Sequence, residues 1–299
     1  MIRETAFGEI TRLPDGLLAR AWLRLDDEDD ILPPPFDRGW RMPGRPGLWA
    51  PQHQRIIPLR AAIAETVLSQ NGTSTVQNNT IGINVGAADY LVVISHAFIG
   101  PSQSAPTSIS YGGAGMTLLN RTTGGSGYAD DNVGIYGRGS PSTGLNNLVL
   151  NYSSNPSTGG SEGAKIGWIG LSGVHQGVGD ADSIRSSTPQ DGAWGTSVSL
   201  DILDCETGDY GLLAVSDFDD TTHNAGTGMS ERYDSVGSAG SSNITGALYT
   251  RTASSDGTLT VSCSGGSDML GAAVALIPAG EASPGPTILA RRRSSLICR

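Results

Sequence analysis

Asp89-Tyr90-Leu91-Val92-Val93-Ile94-Ser95 is the stretch that decides the fold. Tyr90 to Ile94 is a short continuous apolar run, rich in β-branched side chains and bounded by polar residues. Such a run reads as a strand buried on both faces. Working outward, similar segments follow one another with turn residues between them, at residues 75–84, 90–99, 108–111, 116–120, 133–136, 148–152 and 165–174. The second half repeats the habit at 197–203, 210–216, 247–251, 259–263 and 270–277. Ser197-Val198-Ser199-Leu200-Asp201-Ile202 alternates strictly and predicts a half-exposed strand, because successive side chains of a strand point to opposite faces. Leu259-Thr260-Val261-Ser262-Cys263 alternates too, and Gly265-Gly266 predicts a turn after it. Many short strands without a convincing helix predict an all-β fold: an antiparallel two-sheet β-sandwich of jelly-roll type.

Composition agrees. The chain has 299 residues and 42 glycines, with only 16% charged residues. Ser, Thr, Asn and Gly fill the gaps between apolar runs, which suits tight turns because Gly and Asn reach positive φ at little cost. The net charge of −10 argues against a nucleic-acid partner, which would need a basic surface to displace phosphate counterions. No apolar run approaches the roughly 20 residues of a membrane-spanning helix. Arg3, Glu4 and Glu9 stand where an export signal would need an apolar core, so release by cell lysis is expected in place of secretion. The five Asn-x-Ser/Thr sequons, at Asn71, Asn78, Asn120, Asn151 and Asn243, are then expected to be chance. Cys205, Cys263 and Cys298 lack CxxC spacing, which speaks against a zinc knuckle. Cys205 and Cys263 are read either as two small buried side chains or as a disulfide pair, if their strands adjoin.

Three regions are expected. Residues 1–60 form an extended arm rich in Pro, Arg and Trp, residues 61–278 form the sandwich, and residues 279–299 form a Gly/Pro linker and a basic tail. Prolines 33–35 through 58 cannot pair centrally in a sheet and favour extended chain. Such an arm has little core of its own. Phe36, Trp40 and Trp49, with Arg41 and Arg45, are therefore the candidates for docking on a partner subunit, the alternative being an arm wrapped on its own sandwich. Residues 61–68 read as a strand or a single helical turn. The two halves of the sandwich share only a loose echo: an Asp-Tyr step, Asp89-Tyr90 and Asp209-Tyr210, opens an apolar strand in each.

Candidates for chemistry are few. His53, His96, His175 and His223 form no recognisable catalytic pattern with a nucleophile and an acid; His96 lies in an apolar strand and reads as packing. Glu162, Glu206 and Glu231 fall in expected loops and do not alternate along one strand as paired glycosidase carboxylates would. Asp217, Asp219 and Asp220 cluster in a loop and are the secondary candidates for calcium, against the plainer reading of a solvated turn. No resident metal or cofactor is expected. Tyr128, Tyr136, Trp194 and Tyr233 are the candidates for stacking on a sugar ring, against ordinary packing.

The order Asp89-Tyr90-Leu91-Val92-Val93-Ile94-Ser95, then Ile109-Ser110-Tyr111-Gly112-Gly113 with Met116-Thr117-Leu118, then Ile135-Tyr136 and Ser140-Pro141 with Gly144, and a closing Ala272-Ala273-Val274-Ala275-Leu276-Ile277-Pro278, resembles β-sandwich modules of phage virion proteins and bacterial surface proteins. The resemblance covers residues 85–278, and its motifs are turn and packing residues. It implies a structural or adhesive role and hands over no catalytic residues. The expectation is a non-enzymatic virion protein (a tail fibre, head spike or capsid decoration) that attaches to other virion proteins through its arm. It would present the sandwich for host adhesion or particle stabilisation. A homo-oligomer is expected, since particle appendages follow local rotational symmetry. The competing readings are a carbohydrate-binding module or lectin not tied to a virion, and a polysaccharide hydrolase.

Overall fold

The computed structural model describes residues 10–12, 18–20, 62–68, 72–74, 78–98, 105–124, 132–153, 163–177, 179–190, 195–217, 221–235, 238–239, 242–243 and 245–280. The chain divides into two units, Met1–Ile56 and Ile57–Arg299. In the first, β1 (Ile10–Arg12) pairs antiparallel with β2 (Leu18–Arg20). The described residues of the second unit are nearly all antiparallel strand, as the sequence predicts.

The first half of this second unit comprises β3 (Ala64–Leu68), β4 (Gly72–Ser74), β5 (Asn78–Asn84), β6 (Tyr90–Phe98), β7 (Ser108–Tyr111), β8 (Ala114–Gly115), β9 (Thr117–Thr123), β10 (Asn132–Gly139), β11 (Leu145–Asn151) and β12 (Gly163–Ser172). An inner sheet runs β3-β12-β6-β10-β9, and an outer sheet runs β5-β11-β7-β8. β4 continues β3 along β12, and non-consecutive neighbours wound this way across two sheets make an eight-stranded jelly roll, with β3 and β4 as two parts of one strand and β8 and β9 as two parts of another that changes sheet.

A short 3-10 turn, η1 (Asp180–Ser183), leads into the second half. Its strands are β13 (Ile184–Pro189), β14 (Gly195–Cys205), β15 (Tyr210–Asp217), β16 (Asn224–Ala225), β17 (Ser230–Ser235), β18 (Ser238–Ala239), β19 (Ser242–Asn243), β20 (Thr245–Thr252) and β21 (Gly257–Leu276). The inner order is β13-β21-β15-β20-β17. β14 and β16 pair with the front part of β21, through Ser264 and Cys263, while β15 and β13 pair with its rear part, through Met269 to Leu276. Strand for strand this repeats the first half. β13 stands for β3, β14 for β5, β15 for β6, β16 for β7, β17 for β9 and β20 for β10; the front and rear of β21 stand for β11 and β12. The chain therefore carries two jelly rolls in tandem. Gly265-Gly266, expected as a turn, lies inside one 20-residue strand that bends from the outer layer to the inner one, with Gly265 at φ 113°.

The two inner sheets pack face to face. Tyr90, Val92, Ile94, Val133, Ile135, Ile169 and Leu171 of the first meet Leu212, Ala214, Leu248, Leu270, Ala272, Val274 and Leu276 of the second. The opposite face of the first inner sheet (Leu91, Val93, Ile166) packs on Ile109, Tyr111, Leu148 and Leu150 of its outer sheet. The opposite face of the second (Leu213, Val215, Tyr249, Ala273) packs on Val198, Leu200, Ile202 and Val261. The expected two-sheet sandwich is thus doubled into four layers around three apolar cores. That is why β6, from Tyr90 to Ala97, and β15 are buried: each lies in a central layer with a core on both sides. The Asp-Tyr echo marks equivalent positions. The backbone carbonyl of Asp89 accepts from Ser140 N–H and that of Asp209 from Ala253 N–H, each at 2.8 Å.

The packing of the halves is reciprocal, as in a two-fold dimer. The Tyr90 hydroxyl donates to the Asp180 carbonyl at 3.0 Å, and the Tyr210 hydroxyl donates to Glu65 of β3. On one flank, β9 reaches β21: Asn120 Nδ2 donates to the Ala273 carbonyl at 2.8 Å and Thr122 Oγ1 to the Gly271 carbonyl at 2.6 Å. On the other, Arg232 of β17 pairs with Glu65 at 2.6 Å.

Candidate functional site

The apolar core between the inner sheets ends in a polar seam. On β6 the residues facing the second jelly roll are Tyr90, Val92, Ile94 and, one step further, His96, because side chains two apart share a face. His96 is fully buried. Its neighbours in the sheet are Val133 of β10 and Lys165 of β12. Lys165 is the chain's single lysine and is also buried. Across the seam, Lys165 Nζ donates to the Ser235 carbonyl of β17 at 2.6 Å. The Tyr233 hydroxyl of the same strand lies 2.9 Å from His96 Nε2, and the two rings meet edge to face at 5.9 Å.

Two glycines make room for this interlock. A Cβ at Gly167 would fall 1.9 Å from the Tyr233 hydroxyl, and one at Gly246 would fall 2.7 Å from the His96 ring. Tyr233 thus enters a gap in the first jelly roll, while His96 enters one in the second. Burial, reinforced by the Lys165 charge, drives the His96 pKa down to about 3; the Val215 carbonyl only partly offsets this. His96 is neutral at physiological pH. Its Nδ1 has no hydrogen-bond partner among the described residues.

A second buried histidine behaves in the opposite way. The side chain of His223, just before β16, lies between two carboxylates that are themselves inside the protein. Nε2 is 3.1 Å from Asp217 Oδ2, and Nδ1 is 3.3 Å from Asp234 Oδ1, a charge contact off the hydrogen-bond direction. The backbone N–H of His223 donates to Asp234 at 2.5 Å. Burial alone would lower its pKa, but Asp217 and Asp234 outweigh burial and push it up to about 9. Asp217 also accepts from Thr221 Oγ1 at 2.9 Å and from the Asp268 N–H at 3.2 Å. Asp209 is a third buried carboxylate, held by Arg185 at 3.1 and 3.3 Å and by the Glu206 N–H at 2.7 Å.

These placements change several expectations. Tyr136 is buried between the first inner and outer sheets, its pKa pushed up to about 12 by burial, and it offers no ring face to a sugar. Tyr233 is spent on His96 and the Gly167 gap. Asp217 is committed to His223, so its carboxylate is not a free loop ligand for calcium. Cys205 and Cys263 are free thiols. Their strands do pair, but Cys205 lies opposite Gly257 and Cys263 opposite Val198, at different ends of the ladder. Burial raises their pKa values to about 11 and about 12. Tyr128, Trp194, Asp219, Asp220 and the arm residues Phe36, Trp40, Arg41, Arg45 and Trp49 lie outside the described residues. His223 and Asp234 carried no sequence signal, because their partnership joins a loop, an edge strand and the end of a central strand.

The exposed face of the first outer sheet has a uniform chemistry. Asn78, Thr80 and Asn84 of β5, Asn147 and Asn151 of β11, and Ser108 and Ser110 of β7 share it, with Leu145 and Val149 as its apolar members and no charge. No protein-family model matches the chain, and no curated protein or solved structure shows significant similarity to it.

Proposed function

We propose that the chain is a structural protein of a phage-like particle. Residues 1–60 attach it to capsid or tail, and the tandem jelly roll is presented outward for host-surface adhesion or particle stabilisation. Its work is binding and assembly. It is made in the bacterial cytoplasm, acts on the virion as a homo-oligomer, and leaves the cell by lysis. The observation that carries this reading is the tandem jelly roll itself: two all-β units close on each other through a continuous apolar core, and jelly rolls recur in particle shells and lectins. This warrant is an analogy of fold. The buried titratable groups support it, since His96, His223, Asp217, Asp234 and Asp209 are all engaged in holding the fold.

Deletion of residues 1–60 tests the attachment. The shortened chain keeps a strand-dominated far-ultraviolet spectrum and no longer sediments with particles; normal incorporation overturns the proposal. A second reading, a carbohydrate-binding module not tied to a virion, is favoured by the uncharged amide and hydroxyl face of β5, β7 and β11. Side chains of this kind match sugar hydroxyls. Retardation of the purified chain in gels containing neutral polysaccharide, without association with particles, would favour that reading.

A further inference from the structure

The polar seam has a property that does not depend on what the protein is attached to. The geometry points to an acid-operated latch between the two jelly rolls: protonation of His96 places a second cation beside Lys165 inside the seam, and the Ser230–Ser235 strand releases from the first jelly roll.

The argument rests on what surrounds His96. From β12, Lys165 is its direct cross-strand neighbour, with its ammonium turned to the Ser235 carbonyl. From β10, Val133 is apolar. From β20, Gly246 closes against the ring, and from β15 the Val215 carbonyl favours the proton and partly offsets burial. From β17, Tyr233 supplies a neutral hydroxyl. His223, with Asp217 and Asp234, is the next charged cluster, and its imidazolium adds to the field against a charge on His96. No carboxylate has a hydrogen bond or ion pair to His96 among the described residues. The closed seam therefore takes up a proton on His96 only at a large cost, whereas an opened seam exposes an ordinary imidazole to water.

β17 is the element placed to move. Among the described residues it is the edge strand of its sheet and pairs with β20 alone, and a register shift between Glu231 and Tyr233 already interrupts that ladder. Among the described residues it holds the first jelly roll through the Tyr233 and Ser235 contacts and, on the same flank, through the pair of Arg232 with Glu65. Withdrawing β17 breaks these bonds, its ladder with β20 and the Asp234 contacts with His223, and takes Tyr233 off the edge of the core between the inner sheets; the two cores between inner and outer sheets are left in place.

Linkage fixes the size of the effect. The opened form binds about half a proton more than the closed form at pH 6.5 and a full one well below it, so the opened fraction rises about fivefold over the first pH unit and about ninefold over the next. Hydrogen exchange read by mass spectrometry on the full chain, corrected for intrinsic exchange, tests this between pH 6.5 and 4.5. The expected result is a loss of protection of about fiftyfold in β17, whose ladder with β20 opens, with β14 and β11 unchanged. His96→Gln, which keeps a polar partner for Tyr233 but cannot take up a proton, should flatten that dependence. Protection that is independent of pH in the natural protein, a slope that survives in His96→Gln, or a uniform loss across all strands overturns the latch. Should the variant fail to fold, the His96 ring resonance of the natural protein decides. The latch requires the ring to stay neutral in the closed form through this range; a ring that titrates near 6.5 with protection intact overturns it.

Discussion

Raising the pH should weaken the protein through His223, well before any tyrosine ionises. The folded imidazolium, between Asp217 and Asp234, has a pKa near 9, against 6.5 for an unperturbed histidine. The folded-state value lies above the unfolded one, so the stabilisation is fully present below pH 6.5 and is lost as the pH climbs through 9. In that interval the folded chain holds a proton that the unfolded chain has released. One proton corresponds to about 1.4 kcal/mol per pH unit; the unfolded chain still holds about half a proton at pH 6.5 and the folded chain has given up about a quarter of its own at pH 8.5, so raising the pH across this interval should remove about 2 kcal/mol. The window closes at 8.5 because the thiols of Cys205 and Cys263, pushed to about 11 and about 12, begin to act in the same direction above pH 9. Urea unfolding at half-unit steps of pH, followed by far-ultraviolet circular dichroism, measures the slope. The midpoint should fall while the denaturant dependence stays constant. His223→Gln should be less stable at pH 6.5 and nearly insensitive to pH across the window. A natural protein whose unfolding free energy stays within about 0.5 kcal/mol from pH 6.5 to 8.5, or a variant with the same slope, would refute the reasoning.

Other changes probe the same packing. Tyr233→Phe removes the hydroxyl from His96 Nε2 and should cost about 1–3 kcal/mol in chemical denaturation, because a buried polar atom is left without its partner. Asp209→Ala strips the buried carboxylate from Arg185 and from the Glu206 N–H, and should cost about 3 kcal/mol. Leu145→Ser alters a side chain that is 76% exposed on the outer face, and its melting temperature should match that of the natural protein within error.

The strands that sit in central layers were legible because burial on two faces writes itself as apolar runs. Tyr90 to Ile94 marks β6, and the expected 210–216 is β15 less one residue. Strict alternation made β14 visible for the complementary reason, since one of its faces meets water. Edge strands were harder. β13 and β17 are polar along most of their length, with Tyr233 the chief packing residue of β17, so neither carries a period. β3 was ambiguous at five residues, too short for periodicity to separate strand from helical turn. The duplication was almost invisible. A jelly roll constrains the in-and-out pattern of side chains rather than their identity, and only the Asp-Tyr step survives in both halves. The seam was out of reach for a related reason. His96 reads correctly as a packing residue, but its partners lie 69 and 137 positions away in the chain, on strands paired by the fold alone. The glycan-stacking expectation for Tyr136 and Tyr233 failed because aromatic residues beside glycines are as well suited to filling gaps between layers as to lying on a surface.

The measurement that bears most directly on the tandem architecture is a single cut in the connection between the halves. A protease site inserted at Gly177, ahead of η1, would be cleaved in the otherwise intact protein. Each half should keep its own complete strand set, and the apolar core between the inner sheets should hold the two together. The nicked protein should run as one species of full mass with the hydrogen-exchange pattern of the uncut chain, and should separate into two fragments only in denaturant. Fragments that part or unfold in native buffer would contradict the picture of two closed jelly rolls joined face to face.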